Sequence, residues 1–176
     1  MAATIKNTLV KIETVTVGSG GSSSIEFTNI PQTYTDLVVL ASLRSARTGG
    51  GADAVIQFNS SATSYTARRV YGDGVNVTSN TSLHTNADSD AYSSSVWANA
   101  MYYISNYTSS NYKSWSVDIV LENNGTEGVD TLAAGLWSNT SPITSIKLFD
   151  NTSNNWKQYS TATLYGVTAT PNTTKA

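Results

Sequence analysis

Trp115-Ser116-Val117-Asp118-Ile119 decides the fold. Apolar and polar side chains alternate there residue by residue, the period of a β-strand with one buried and one wet face. Ser24-Ile25-Glu26-Phe27-Thr28 repeats the pattern. Few windows anywhere carry a helical stripe. Strands are therefore expected at Leu9 to Val17, Ser24 to Thr28, Asp36 to Ser45, Ala54 to Asn59 and Tyr65 to Tyr71. Further ones are expected at Ser94 to Ile104, Tyr112 to Glu122, Thr131 to Trp137, Thr144 to Phe149 and Ala162 to Thr168. Asp36-Leu37-Val38-Val39-Leu40-Ala41 is apolar throughout after its aspartate. That suits a strand covered on both sides, by the chain itself or by a partner.

Gly18-Ser19-Gly20-Gly21, Gly49-Gly50-Gly51, Asp73-Gly74 and Asn124-Gly125 punctuate these runs. Positive φ costs little at such sites, so they read as turns. Pro31, Pro142 and Pro171 sit just outside expected strands, consistent with their missing N–H. Short strands with frequent turns and no βαβ alternation imply an all-β fold: an antiparallel β-sandwich, jelly-roll-like, of about eight to ten strands. Residues 9–168 form that domain, with residues 1–8 as an N-terminal arm and residues 169–176 as a polar C-terminal tail. Asn76 to Ser95 reads as one long polar loop, a kind that is usually functional or mobile.

Charged residues make up 12% of the 176-residue chain, about half of the roughly 25% usual for soluble domains. Ten Tyr and four Trp, with abundant Val, Ile and Thr, separate it from disordered chains. Its polar face is written in Ser, Thr and Asn, which disfavour helices and suit strands and turns. A net charge of −2 gives no field to draw nucleic acid or an anionic membrane. Arg68-Arg69 is the one adjacent basic pair. No apolar stretch reaches the roughly 20 residues of a membrane-spanning helix. The absence of cysteine removes disulfides and thiolate zinc sites. Met1 to Lys6 has no signal-peptide core, so synthesis in a cytoplasm is expected. The several Asn-X-Ser/Thr triplets follow from composition.

Catalytic signatures are weak. His84, the single histidine, lies in the polar stretch near Asp88 and Asp90 and reads as a solvated loop residue rather than a metal ligand. Asp88-Ser89-Asp90 lacks the glycine and distal glutamate of a calcium loop. No Gly-x-Ser-x-Gly elbow is present, and neither glycine cluster is followed by Lys-Ser/Thr and a helix. Asp118 and Glu122 share parity on one strand about 13 Å apart, wider than glycoside hydrolysis uses. The expectation is a non-enzyme with no cofactor and no metal.

The aromatics are the richest signal. Trp97, Tyr102, Tyr103, Tyr107, Tyr112, Trp115, Trp137 and Trp156 fit a core or an oligomer interface. A subset could instead form a sugar platform. Trp156, in Asn151-Thr152-Ser153-Asn154-Asn155, is the ring expected to be most exposed, with Tyr107 the second possible glycan contact.

Longer phrases carry a resemblance. Phe27-Thr28-Asn29-Ile30-Pro31-Gln32-Thr33-Tyr34-Thr35-Asp36-Leu37 runs into the apolar strand and Leu43-Arg44-Ser45. Later come Ile104-Ser105-Asn106-Tyr107, Tyr112-Lys113-Ser114, Glu122-Asn123-Asn124 and Ala134-Gly135-Leu136-Trp137-Ser138. Pro142-Ile143-Thr144-Ser145-Ile146 and Thr161-Ala162-Thr163-Leu164-Tyr165-Gly166-Val167 complete the set. In order and number, across most of the chain, they resemble a family of small structural proteins of tailed bacteriophages, particularly marine and cyanobacterial ones. The resemblance implies a capsid decoration or cement protein on the outer capsid surface of the virion. Its partners would be the major capsid protein and further copies of itself, as a homotrimer. The arms, Ala2, Thr4 and Ile5 at one end and Pro171 and Lys175 at the other, would serve as docking segments. The alternative is a head or tail fibre-type host-recognition module that binds surface glycans, suggested by the aromatics and the polar stretch Asn76 to Ser95.

Overall fold

The computed structural model describes residues 8–92, 95–122 and 128–168, and among them the chain is all-β, without helix. Twelve strands run in chain order as β1 (Leu9–Thr16), β2 (Ser24–Phe27), β3 (Asp36–Ser45), β4 (Ala52–Phe58), β5 (Tyr65–Gly72) and β6 (Val77–Asn80). They continue as β7 (Thr85–Ser89), β8 (Ala98–Ile104), β9 (Lys113–Glu122), β10 (Gly128–Trp137), β11 (Ile146–Asp150) and β12 (Thr161–Val167). A broad arm of the sheet runs β1-β12-β3-β8-β9-β10-β5-β6, and a narrow arm runs β7-β4-β11-β2. The arms join where β3 pairs β7 in parallel through Arg44–Asp88 and Ser45–Ser89.

The all-β expectation holds. The twelve strands link into one open mixed sheet, in which the β3–β7 pair is parallel while the other pairs are antiparallel. One expectation is corrected. The strand count rises because Asn76 to Ser95 is not a loop: it holds β6 and β7. Apart from Ala87, the buried positions of β7 are polar, which hid the strand from a hydrophobic reading. Thr85, Asp88 and Ser89 are buried. Thr85 Oγ1 donates to Ala54 O at 3.3 Å and Ser89 Oγ to Gly50 O at 2.7 Å, so burial leaves these groups satisfied.

Period two then organises the core. On β8, Ala98, Ala100, Tyr102 and Ile104 are buried while Asn99, Met101 and Tyr103 are exposed. On β9, Trp115, Val117, Ile119 and Leu121 are buried. The narrow arm supplies Ile25, Phe27, Ala54, Ile56, Phe58, Ile146 and Leu148 to the same cluster. Trp137 completes it, stacked on Tyr65 with ring centroids 6.1 Å apart. Lys113 is fully buried, and its ammonium donates to Ser109 O at 2.6 Å and Asn111 O at 2.5 Å, closing the β8–β9 turn. Burial lowers its pKa.

Gly135 shows how tightly the broad arm packs. It pairs with Trp115 across β9 and β10, and the indole lies over it. A Cβ there would meet a Trp115 ring carbon at 2.0 Å. Overpacking of this kind costs about 1–3 kcal/mol. Gly135→Ala is therefore expected to lose at least that much, read as a lower denaturant midpoint at unchanged m-value.

Candidate functional site

The side of the broad arm that faces away from the core departs from the apolar-in, polar-out rule. Successive registers place one transverse row across it: Thr14, Thr163, Leu40, Met101, Asp118, Leu132, Val70 and Ser79. Leu40 is 43% exposed, Met101 51%, Leu132 55% and Val70 47%. Tyr103 and Val120, on the flanking rows, are exposed as well. Two adjoining shallow depressions of about 430 and 530 Å³ share Met101 and Asp118. Arg68 edges the first and Tyr165 the second. Exposed apolar residues scattered singly need no explanation; here four of them stand in register across five adjacent strands, interrupted by Asp118.

The run Leu37 to Ala41 finds its meaning here. Val38 is buried on the outward side, between its register neighbours Tyr165 and Tyr103. Leu40, two residues on, stays bare. The chain itself covers one of the two outward positions and leaves the other exposed.

Residues singled out in the sequence distribute differently. Trp156 is fully buried, not exposed, and its Nε1–H donates to Leu148 O at 3.0 Å. Its polar neighbours bend the chain, while its own backbone bridges to Ser22 and Ser45 and draws the ring inward. Tyr107 is also buried, with its hydroxyl donating to Pro31 O. Neither ring can contact a glycan from these positions. The exposed rings are Tyr103, Tyr112 and Tyr159.

Asp88 is fully buried, with Oδ1 accepting the Ser89 N–H at 3.0 Å. Asp90 binds Lys157 Nζ at 2.7 Å and Arg44 Nη2 at 3.2 Å. Burial pushes the Asp90 carboxyl upward, but the Lys157 and Arg44 hydrogen bonds outweigh it and hold the group below its ordinary value. These two carboxylates thus belong to the junction between the arms, not to a calcium loop. His84 is half-buried with Nδ1 3.1 Å from Asp53 Oδ1, outside hydrogen-bonding geometry. Asp118 lies on the outward row between Met101 and Leu132. Ala2, Thr4, Ile5, Pro171 and Lys175 fall outside the described residues. Among the described residues, no three His, Cys, Asp or Glu side chains cluster as a metal site would require.

Sequence reasoning missed the outward row because its members come from strands far apart in the chain, joined only by register. The one available signal was parity: Met101 and Leu132 occupy wet-face positions on their strands. No family model, curated protein or solved structure matches the chain.

Proposed function

We propose that this protein is a structural component of a tailed-bacteriophage virion, a decoration or cement protein that docks on the major capsid protein through the outward face of the broad arm. The observation that supports the reading is the in-register row Leu40, Met101, Leu132 and Val70, bare on one face of an otherwise Ser/Thr/Asn-rich surface. Full burial of such a side chain stabilises by about 1.5–3 kcal/mol. Four half-exposed ones supply roughly 3–6 kcal/mol gross, near the bottom of the 4–15 kcal/mol that association costs. One copy on one subunit therefore binds weakly. Repetition over a shell lattice, with self-association into trimers, converts weak contacts into firm attachment.

Quantitative mass spectrometry of purified virions tests the placement. A copy number equal to the shell subunit's, or a simple fraction of it, is expected; a number far below that overturns decoration. The surface is tested with Met101→Lys/Leu132→Lys, which is expected to unfold within about 0.5 kcal/mol of the parent. It is also expected to fail to coat shells that bind the parent. Undiminished coating rules this face out.

A further inference from the structure

A second concavity lies at the other side of the molecule, along β4. The β4–β7 ladder ends at Ala54–Thr85, and beyond it, among the described residues, β4 has no strand alongside on that edge. The Phe58 N–H turns to the same edge and donates to the Tyr65 hydroxyl at 2.8 Å. By the alternation of antiparallel pairing, the Ile56 N–H and C=O point the same way. A cleft of about 590 Å³ runs along this gap, closed opposite β4 by residues 81–84 and floored by Trp115. That segment is anchored by Arg69, whose Nη1 donates to His84 O at 2.8 Å.

The wall chemistry defines an occupant. Tyr65, Phe149 and Ile56 supply apolar surface. Trp115 is 4% exposed. Its Nε1 and Ser82 Oγ are shut from solvent without a hydrogen-bond partner, and both belong to cleft-lining residues, while His84 Nδ1 stands 3.1 Å from Asp53 Oδ1. Buried polar atoms in that state are costly until something pairs with them. A single free peptide edge at Ile56 is too short to seat an added strand, which argues against a peptide. The Asp53 carboxylate beside His84 disfavours an anion. The volume lies in the range of small-molecule sites, and few convergent polar groups in an aromatic pocket are their signature.

From these features we infer that the cleft binds a neutral saccharide unit. Its C–H faces lie against the Tyr65 and Phe149 rings. Its hydroxyls accept from Trp115 Nε1–H and the Ile56 N–H and exchange with Ser82 and His84, which small rotations of these two half-buried side chains make reachable. The inference stands independently of shell docking, which uses the opposite face of the broad arm.

The test is a titration of the full chain, labelled at tryptophan indoles, with glucose, galactose, mannose, N-acetylglucosamine and their disaccharides. A saturable shift of the Trp115 indole resonance, assigned by its loss in Trp115→Phe, is expected for at least one sugar. Ser82→Ala and His84→Ala should each weaken that binding roughly tenfold, the loss of one hydrogen bond's worth of affinity, with melting unchanged. If Trp115→Phe does not fold, the Ser82→Ala comparison alone decides. No shift with any neutral sugar, a shift indifferent to Ser82→Ala, or tighter binding of an anionic sugar would each overturn the inference.

Discussion

Trp156→Ala is expected to cost about 3–5 kcal/mol of folding stability, the range for removing a buried aromatic from a core. The ring is fully enclosed, and its indole N–H satisfies the Leu148 carbonyl. Its main chain exchanges hydrogen bonds with Ser22, donating at 2.7 Å and accepting at 3.0 Å, and bridges to Ser45 at the end of β3. One residue thus ties both arms of the sheet, and the cavity left by alanine opens at that tie. Trp156→Phe keeps most of the volume but loses the indole hydrogen bond to Leu148 O, so a smaller loss of about 0.5–1.5 kcal/mol is expected. Equilibrium denaturation of both variants measures the difference. A loss under 1 kcal/mol for the alanine variant would show that the ring is not enclosed as described.

Arg44→Ala ranks beside it, at about 3–5 kcal/mol. The guanidinium is 4% exposed, donates to Val96 O at 2.8 Å, and reaches Asp90 through Nε at 3.3 Å and Nη2 at 3.2 Å. It also stands 6.0 Å from the Trp97 ring centre. Arg44→Lys should recover only part of the loss, since a point charge cannot reproduce the fork. The pair carries a pH signature. Asp90 has its folded carboxyl below the ordinary value, so its contribution is present above the usual carboxylate range and disappears as pH falls through the lowered folded value. The parent should therefore lose stability on acidification more steeply than Asp90→Asn, measured by denaturant midpoints along a pH series. Parallel curves would remove Asp90 from the network.

The ten strands legible in the sequence carry mostly apolar residues at their buried positions, as period two on β8 and β9 or as the continuous run of β3. β7 was illegible because Thr85, Asp88 and Ser89 are buried as polar groups, and β6 because none of Val77 to Asn80 is buried, so a hydrophobic pattern has little to register. Trp156 misled for the converse reason. Its neighbours in Asn151 to Asn155 are a loop's residues, and only the tertiary bridge to Ser22 and Ser45 turns the ring in. The outward row and the cleft share a third obstacle. Leu40, Met101, Leu132 and Val70 become neighbours through strand register. Trp115, Ser82 and Tyr65 meet through the folding of one sheet over itself. Neither relation leaves a local trace.

β1 and β12, the first and last strands, pair with each other at one margin of the broad arm, where the Thr168 N–H donates to Thr8 O at 2.9 Å. β6, followed directly by residues 81–84, forms the other margin. The molecule thus has a stem side and a crown side. A pulling force applied at Thr8 and Thr168 would load the β1–β12 ladder at the stem first, and leave β6 at the crown untouched until that ladder gives way.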